Sequence, residues 1–463
     1  MCAWWAVVLP CAAADTPELR GVIRTFTFPQ AVQTAEANYP SIQAAIARED
    51  AARHNISLTK TAYLPRLDTV YQQDFGSMSP MNSIYVPVLH LPLITSPETQ
   101  KRDFRRGVAA TTGGALLNWE LIDFGLRRAQ VRAAHAQHGE TQAAVVFTKF
   151  DVAVAAGDAY FAVMLAEQRV RAERANVERF EVFAEQVHAL VRSELKAGVD
   201  ASRADAEVAR ARDQLIQAEQ DRDVARATLA ERMGIAGDPV DISMQPFVIL
   251  PISSVEGSLP PFEQHPLALQ NAAIINTVLA REKVIAREWA PHIFGLAGIQ
   301  GRGAGVNFGT SSTRRGGLLP DVPNWMVGIT ATFPIMDFFE IRFRQKIEHS
   351  NERAARARYA EILQILKGHD AVARAEIDGA VRRAANAPSF VKAAQDTVTR
   401  ARIRYKVGLG TVVDVAEAER LLTDAQVISD TASIAVWRAY LAAAVAHGDL
   451  SPFMKLIAAA GAR

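Results

Sequence analysis

The sequence predicts an α+β protein in which paired β-strands alternate with very long antiparallel helical hairpins, the whole plan being written twice. Three observations carry this reading. Two segments of similar pattern recur at one spacing. Four runs alternate apolar and polar residues with period 2. Two alanine- and charge-rich stretches of roughly 65–70 residues each meet a glycine-bearing turn and continue as a second helix.

The repeat is clearest where each half opens. YPSIQAAIAREDAARHNISLTKTAYLPRLDTVYQQD begins at Tyr39, and HPLALQNAAIINTVLAREKVIAREWAPHIFGLAGIQ begins at His265. Each places a proline second, then a helical segment, then a proline opening a strand, so Pro40 to Pro65 matches Pro266 to Pro291 in spacing. The plan divides the chain into a signal peptide (1–14), a first repeat (15–234), a linker (235–261), a second repeat (262–448) and a tail (449–463). Within the repeats, the strand pairs occupy 63–125 and 291–337. The hairpins occupy 125–233, with its tip at Gly198, and 340–447, with its tip at Gly408.

The strands come next. In the first, Leu67, Thr69, Tyr71 and Phe75 share a face opposite Arg66, Asp68, Gln72 and Asp74. In the second, ALLNWELIDF, Leu117, Trp119 and Leu121 oppose Asn118 and Glu120. The third, Ile293 to Gln300, is glycine-rich and alternates weakly. In the fourth, Trp325, Val327, Ile329, Ala331 and Phe333 oppose Gly328, Thr330 and Thr332. Such alternation fits a transmembrane barrel strand. It fits a soluble sheet packed on helices equally well. The connecting stretches, Gly76 to Gly114 and Gly301 to Asn324, read as loops, the first carrying the apolar SIYVPVLHLPLI from Ser83.

The helices, Gly125 to Lys196 and Glu340 to Lys406, would each be on the order of 100 Å long at about 1.5 Å per residue. Hairpins of that length cannot wrap a compact core, so they pack on copies of themselves or on a partner. Four strands also cannot close a barrel, and open edges in lipid would leave backbone groups unsatisfied. If the strands enter a membrane, at least two copies must combine.

Composition narrows the function classes. Lys plus Arg number 51 and Asp plus Glu 50 in 463 residues, which argues against a bulk electrostatic nucleic-acid binder. Uninterrupted apolar runs of helix-spanning length are absent from the sequence. The opening MCAWWAVVLPCAAAD resembles an export signal cleaved after Ala14, short and without a basic start. Cleavage there would remove both cysteines, Cys2 and Cys11; acylation of Cys11 is the competing reading, which Pro10 disfavours.

The turn YKVGLGTVVDVAEAE from Tyr405 is the most specific stretch. With the doubled strand–loop–strand–helix–turn–helix plan it resembles the TolC-type outer-membrane channel family, also called outer-membrane efflux proteins, over roughly Pro29 to Gly448. Tyr405, Gly408 and Asp414 fit the family's turn spacing, and Glu417 takes the place of a second acid. KAGVDASRADAEVARA from Lys196 looks like the first turn, but Asp205 lies seven residues after Gly198 rather than six, as though one residue were inserted. Gly410 stands where some members carry an arginine that helps lock the closed entrance. Phe339 and Glu340 replace a glycine often seen at the strand exit, which DFGLRRAQ from Asp123 keeps.

The resemblance implies a homotrimer with a twelve-stranded outer-membrane barrel and a twelve-helix periplasmic α-barrel. The trimer would serve as the exit duct of an efflux or type I secretion system, with an inner-membrane transporter and a periplasmic adaptor as partners. It implies a periplasmic gate at Asp414, Glu417, Tyr405 and Asp205, and adaptor contacts at the tips through Gly198, Val199, Gly408, Leu409 and Gly410, with Ala201, Val412 and Val413 beside them. Packing between neighbouring hairpins of the trimer explains the apolar tip residues equally well, and ordinary interface packing is the competing role for Tyr405. Three copies of Asp414 and Glu417 would ring a narrow pore with carboxylates and favour cations. The plain alternative for these acids is capping of the returning helix.

Cofactor and catalytic motifs are absent from the sequence: it holds no GxxxxGK[ST] and no GxSxG. GRGAGVNFG from Gly301 precedes no predicted helix and reads as a loop; His135 and His138 read as surface residues rather than metal ligands. The competing class is a periplasmic coiled-coil adaptor or scaffold. Adaptors carry one long hairpin flanked by β-rich domains, whereas two hairpins and aromatic-ended strand pairs point to a channel.

Overall fold

Proline starts several elements because its fixed φ suits a helix's first turn. In a computed structural model describing residues 24–77, 107–247, 249–251, 259–304, 318–320 and 322–461, the elements follow the doubled plan. The order is β1 (Arg24–Phe26), α1 (Phe28–Asn38), α2 (Pro40–Lys60), β2 (Arg66–Ser77), β3 (Gly107–Ile122), α3 (Leu126–Arg192), α4 (Gly198–Arg232) and β4 (Val240–Ile242). Then come α5 (Pro266–Ile285), β5 (His292–Ala304), β6 (Val322–Thr332), α6 (Phe338–Lys406), α7 (Val412–His447) and α8 (Ser451–Gly461). The segment expected to be a signal peptide, both cysteines and the Ser83 segment lie outside the described residues.

The chain forms two units. One comprises Ala45–Ala144 and Leu269–Glu361. Its antiparallel sheet has the order β2-β3-β5-β6. Leu67 pairs with Leu117, Ala115 with Ile299 and Ile299 with Trp325, so the apolar positions of all four strands share one face. β3 begins at Gly107 and β5 runs on to Ala304, through stretches that read as loop, because GVAATTGG and GRGA give alternation no side-chain contrast. The glycines of β5 make room instead. A Cβ on Gly303 would meet the Leu319 carbonyl oxygen at 2.0 Å, and one on Gly301 would meet Pro320 at 2.9 Å. Arg127 anchors the start of α3, donating to the Asp123 carboxylate (3.0 Å) and to the carbonyls of Ala62 and Glu120.

The other unit holds the remaining residues. Its main core gathers Phe28, Tyr160, Phe161, Phe247, Trp437 and Phe453, with edge-to-face contacts such as Phe247–Trp437 at 5.2 Å. Burying aromatics in such a cluster is worth about 0.5–1.5 kcal/mol per pair beyond area. The linker contributes β4, which pairs parallel with β1, and the Tyr160 hydroxyl donates to the Ser243 carbonyl at 2.6 Å beside them. Residues after Gly448, read above as a tail, form α8, whose Phe453 and Ile457 are buried.

Candidate functional site at the hairpin tips

Both hairpins share one frame. A constant offset of 214 residues relates Asp123 to Asp337, Glu194 to Gly408 and Gly234 to Gly448. The turns confirm it: Leu195 N–H donates to the Leu190 carbonyl (3.0 Å) and Leu409 N–H to that of Arg404 (2.8 Å). Upstream the offset is 226, as from Pro65 to Pro291, so the first inter-strand connection is longer by twelve residues and the hairpins match residue for residue.

This frame corrects the first turn as read from the sequence. No residue is inserted there. The left-handed position is Glu194 (φ 58°), matching Gly408 (φ 83°), whereas Gly198 is the first residue of α4. The counterpart of Asp414 is Asp200, not Asp205; both stand three residues after their helix N-caps, Thr411 and Ala197. Asp205 instead lies 2.7 Å from the His188 ring, the pair equivalent to Arg402 and Glu419. Gly125 (φ 94°) serves a turn that the second repeat omits, since α6 starts at Phe338 and holds Phe339 as a helical residue.

Tyr405 is buried (2 % exposed) and joins the two tips. Its hydroxyl donates to the Asp200 carboxylate at 3.3 Å, its ring meets Phe183 edge-on at 5.4 Å, and the Lys196 ammonium lies 4.6 Å from the ring centre. Lys196 is the counterpart of Gly410, so a cation at this turn position is supplied by the first hairpin. Burial, then the Asp200 charge, pushes the Tyr405 hydroxyl up to about 12. Val412, Val415 and Ala416 complete this small core with Val187, Ala204 and Val208.

Asp414 has a local partner. Its carboxylate accepts from the Thr411 N–H (2.8 Å), while the Thr411 hydroxyl accepts from the Asp414 N–H (3.2 Å), a capping box. The Thr411 backbone bond holds the carboxyl below its ordinary range. Glu417 lies one turn on. Both line a groove of about 610 Å³ in which Asp424 is a third acid and Arg400, Arg404 and Arg420 supply opposite charge. Val199, Leu409 and Val413 are exposed at the turns, as are Leu195 and Val407; Val412 is buried.

Sequence reasoning missed the strongest charge cluster. Glu419 is 0 % exposed, between Arg179 (Nε to Oε2, 3.1 Å) and Arg402 (Nε to Oε1, 2.8 Å). Arg179 also donates to Thr423 (2.8 Å) and Gln426 (3.1 Å), so one α3 guanidinium grips three positions on one face of α7. Burial draws the Arg179 guanidinium down, and Glu419 opposes it. Removing one partner of such a buried pair costs about 3–5 kcal/mol, against about 0–1 kcal/mol for an exposed ion pair. Nothing in the sequence singles Glu419 out from the other charged residues of these helices, since polar Thr423 and Gln426 share its face.

The sheet settles the soluble alternative. Phe75, Trp325, Val327 and Ile329 are each more than 75 % exposed, so no described helix of this unit covers the apolar face. An apolar sheet face left open matches a lipid-facing barrel wall. No described helix is long and apolar enough to cross a membrane. The sequence profile of the outer membrane efflux protein family matches residues 31–235 and 303–443.

The chain belongs to the outer membrane efflux protein family. It is an outer-membrane efflux channel that extends into the periplasm, from a family of channels rather than of enzymes. Solved channels share its fold. The CmeC outer membrane channel of Campylobacter jejuni is 15% identical with a TM-score of 0.73, matching 98% of this chain and 97% of that one. CusC is 14% identical with a TM-score of 0.73 over 96% and 99% of the two chains, and VceC of Vibrio cholerae is 15% identical with a TM-score of 0.70 over 91% and 96%. No curated protein sequence matches the efflux channel.

Proposed function

We propose that three copies of this channel form the exit duct of a tripartite efflux or secretion assembly, closed at the hairpin tips and opened there by a periplasmic adaptor. β2 and β6 are the free edges of a four-stranded sheet. Copies that join them edge to edge satisfy their backbone groups in lipid. The exposed apolar residues of both turns, Val199 and Leu409 foremost, are the adaptor's contacts, and an inner-membrane transporter feeds the duct. One observation carries the gate: buried Tyr405 of the second hairpin is hydrogen-bonded to Asp200 of the first, next to both turns. That bond is the lock, with Asp200 in the place first expected for Asp205.

Asp414 and Glu417 face the entrance and set its ion preference. Asp414 also starts the returning helix, so Glu417 is the cleaner probe. Arg400, Arg404 and Arg420 in the same groove keep the preference for cations modest. Single-channel recording of the purified protein in planar bilayers tests the reading. A small, steady, weakly cation-selective conductance is expected, and Glu417→Ala lowers block by polyvalent cations. Absence of conductance from folded, inserted protein would return the chain to the scaffold class.

A further inference from the structure

Besides the packing of Phe183 and Lys196 on the Tyr405 ring, three hydrogen-bonded or ionic links among the described residues join the first hairpin to the second near the tips. Nearest the turns is the single Tyr405–Asp200 bond at 3.3 Å. Next is Arg420 with Glu207 at 2.5 Å, about a third and a quarter exposed, respectively. Farthest from the turns is Arg179 on Glu419, Thr423 and Gln426, with Arg402 closing the fourth side. The first is one hydrogen bond from buried Tyr405 to a half-buried carboxylate, and the second holds partly exposed groups that water can take over. The third encloses a carboxylate with no exposure at all; separation would take away Arg179, leave Arg402 of the same hairpin as its one remaining ionic partner, and open a buried charged site to water. The links therefore differ in kind. Any force that parts the tips breaks the first two before the third.

We infer that the Arg179 clamp is the pivot of the entrance: it stays shut while the chain on its tip side moves, so that the second hairpin bends there rather than swinging as a whole. The inference rests on the gate reading above. Arg179 is then a positioning residue, and it sets how far from the tip the opening runs. The repeat supports this. The counterpart of Arg179 is Ala393, and the counterpart of the buried Arg402–Glu419 pair is the partly exposed His188–Asp205 pair, so the clamp exists once, where the two hairpins meet. Tipward of it lie residues 180–207 and 403–418; beyond it lie 160–178 and 424–436.

Amide hydrogen exchange on the intact trimer, followed segment by segment alongside conductance, tests the pivot. In Tyr405→Phe/Asp200→Asn, exchange in the tipward segments is expected to rise about tenfold or more and conductance to rise with it. The segments beyond the clamp keep wild-type exchange. Adding Arg179→Met carries the faster exchange past 179 and 424, and Arg179→Lys, which keeps the charge on Glu419 but not the fork, carries it part of the way. Arg179→Met alone, with the lock intact, leaves the boundary where it was; loosening throughout the bundle in that variant marks a plain packing role and overturns the pivot. If tipward exchange and conductance rise but exchange beyond the clamp rises equally with Arg179 present, the pivot alone falls. If the double variant changes neither, the gate reading falls and the pivot with it.

Discussion

The two hairpin tips are copies in backbone and opposites in chemistry. At the left-handed position the second tip has Gly408 and the first has Glu194. At the helix start the second has a capping box on Thr411 and the first has Ala197, whose side chain caps nothing. At the inter-helix charge pair the second buries Glu419 between arginines, and the first leaves Asp205 with His188 at the surface. The first tip's own acid, Asp200, is turned to Tyr405 of the second. One tip is built to be well formed by itself and the other to hold its neighbour.

The largest effect that sharpens this contrast is at the charge pairs. Glu419→Ala is expected to cost about 3–5 kcal/mol by stranding two partly buried guanidiniums, while Asp205→Ala costs at most about 1 kcal/mol; thermal unfolding of the detergent-solubilised trimer reads both. Equal losses would erase the distinction. At the turns the signs oppose. Gly408→Ala is expected to lose about 1–2 kcal/mol to a left-handed alanine, whereas Glu194→Gly gains about 0.5 kcal/mol. The caps oppose likewise. Thr411→Ala loses about 1 kcal/mol and Ala197→Ser gains somewhat less, because Asp200 must leave Tyr405 to complete a box. Hydrogen exchange in the first turns of α7 and α4 reports each change separately.

The smallest effect is a pH dependence. Burial, with the Asp200 charge beside it, raises the Tyr405 hydroxyl from its ordinary value near 10 to about 12. A folded value above the unfolded one means the stabilisation is whole below pH 10 and is lost as pH rises through 12. Closed-state conductance should therefore stay flat from neutrality to about pH 10 and climb above it, and Tyr405→Phe should remove that climb. A rise between pH 7 and 9 would point to another group.

Much of the fold was legible because its signals are periodic. Tyr71, Trp119 and Trp325 mark one face of strands whose partners are polar, and the second turn carries its glycine, its cap and its acid in sequence order. The site was legible only in part. Matching KAGVDAS to KVGLGTV aligned glycine with glycine, yet the left-handed residue of the first turn is Glu194, a type that pays a steric cost there and so sends no signal. That shift misplaced the acid, from Asp200 to Asp205. Arg179 and Glu419 were unreadable for a different reason: what distinguishes them is burial against each other across about 240 residues of chain, and charge-rich helices offer many such residues. The strand ends in GVAATTGG and GRGA were lost because glycine and alanine look alike on either face of a sheet.

The most direct test of the account is the conductance of Tyr405→Phe/Asp200→Asn beside the wild type, in the same bilayers and salt. The account predicts a clear, several-fold larger conductance with trimer and fold intact, since the link between the tips is gone. A double variant that conducts like the wild type would show that the tips are not the closed end of this duct.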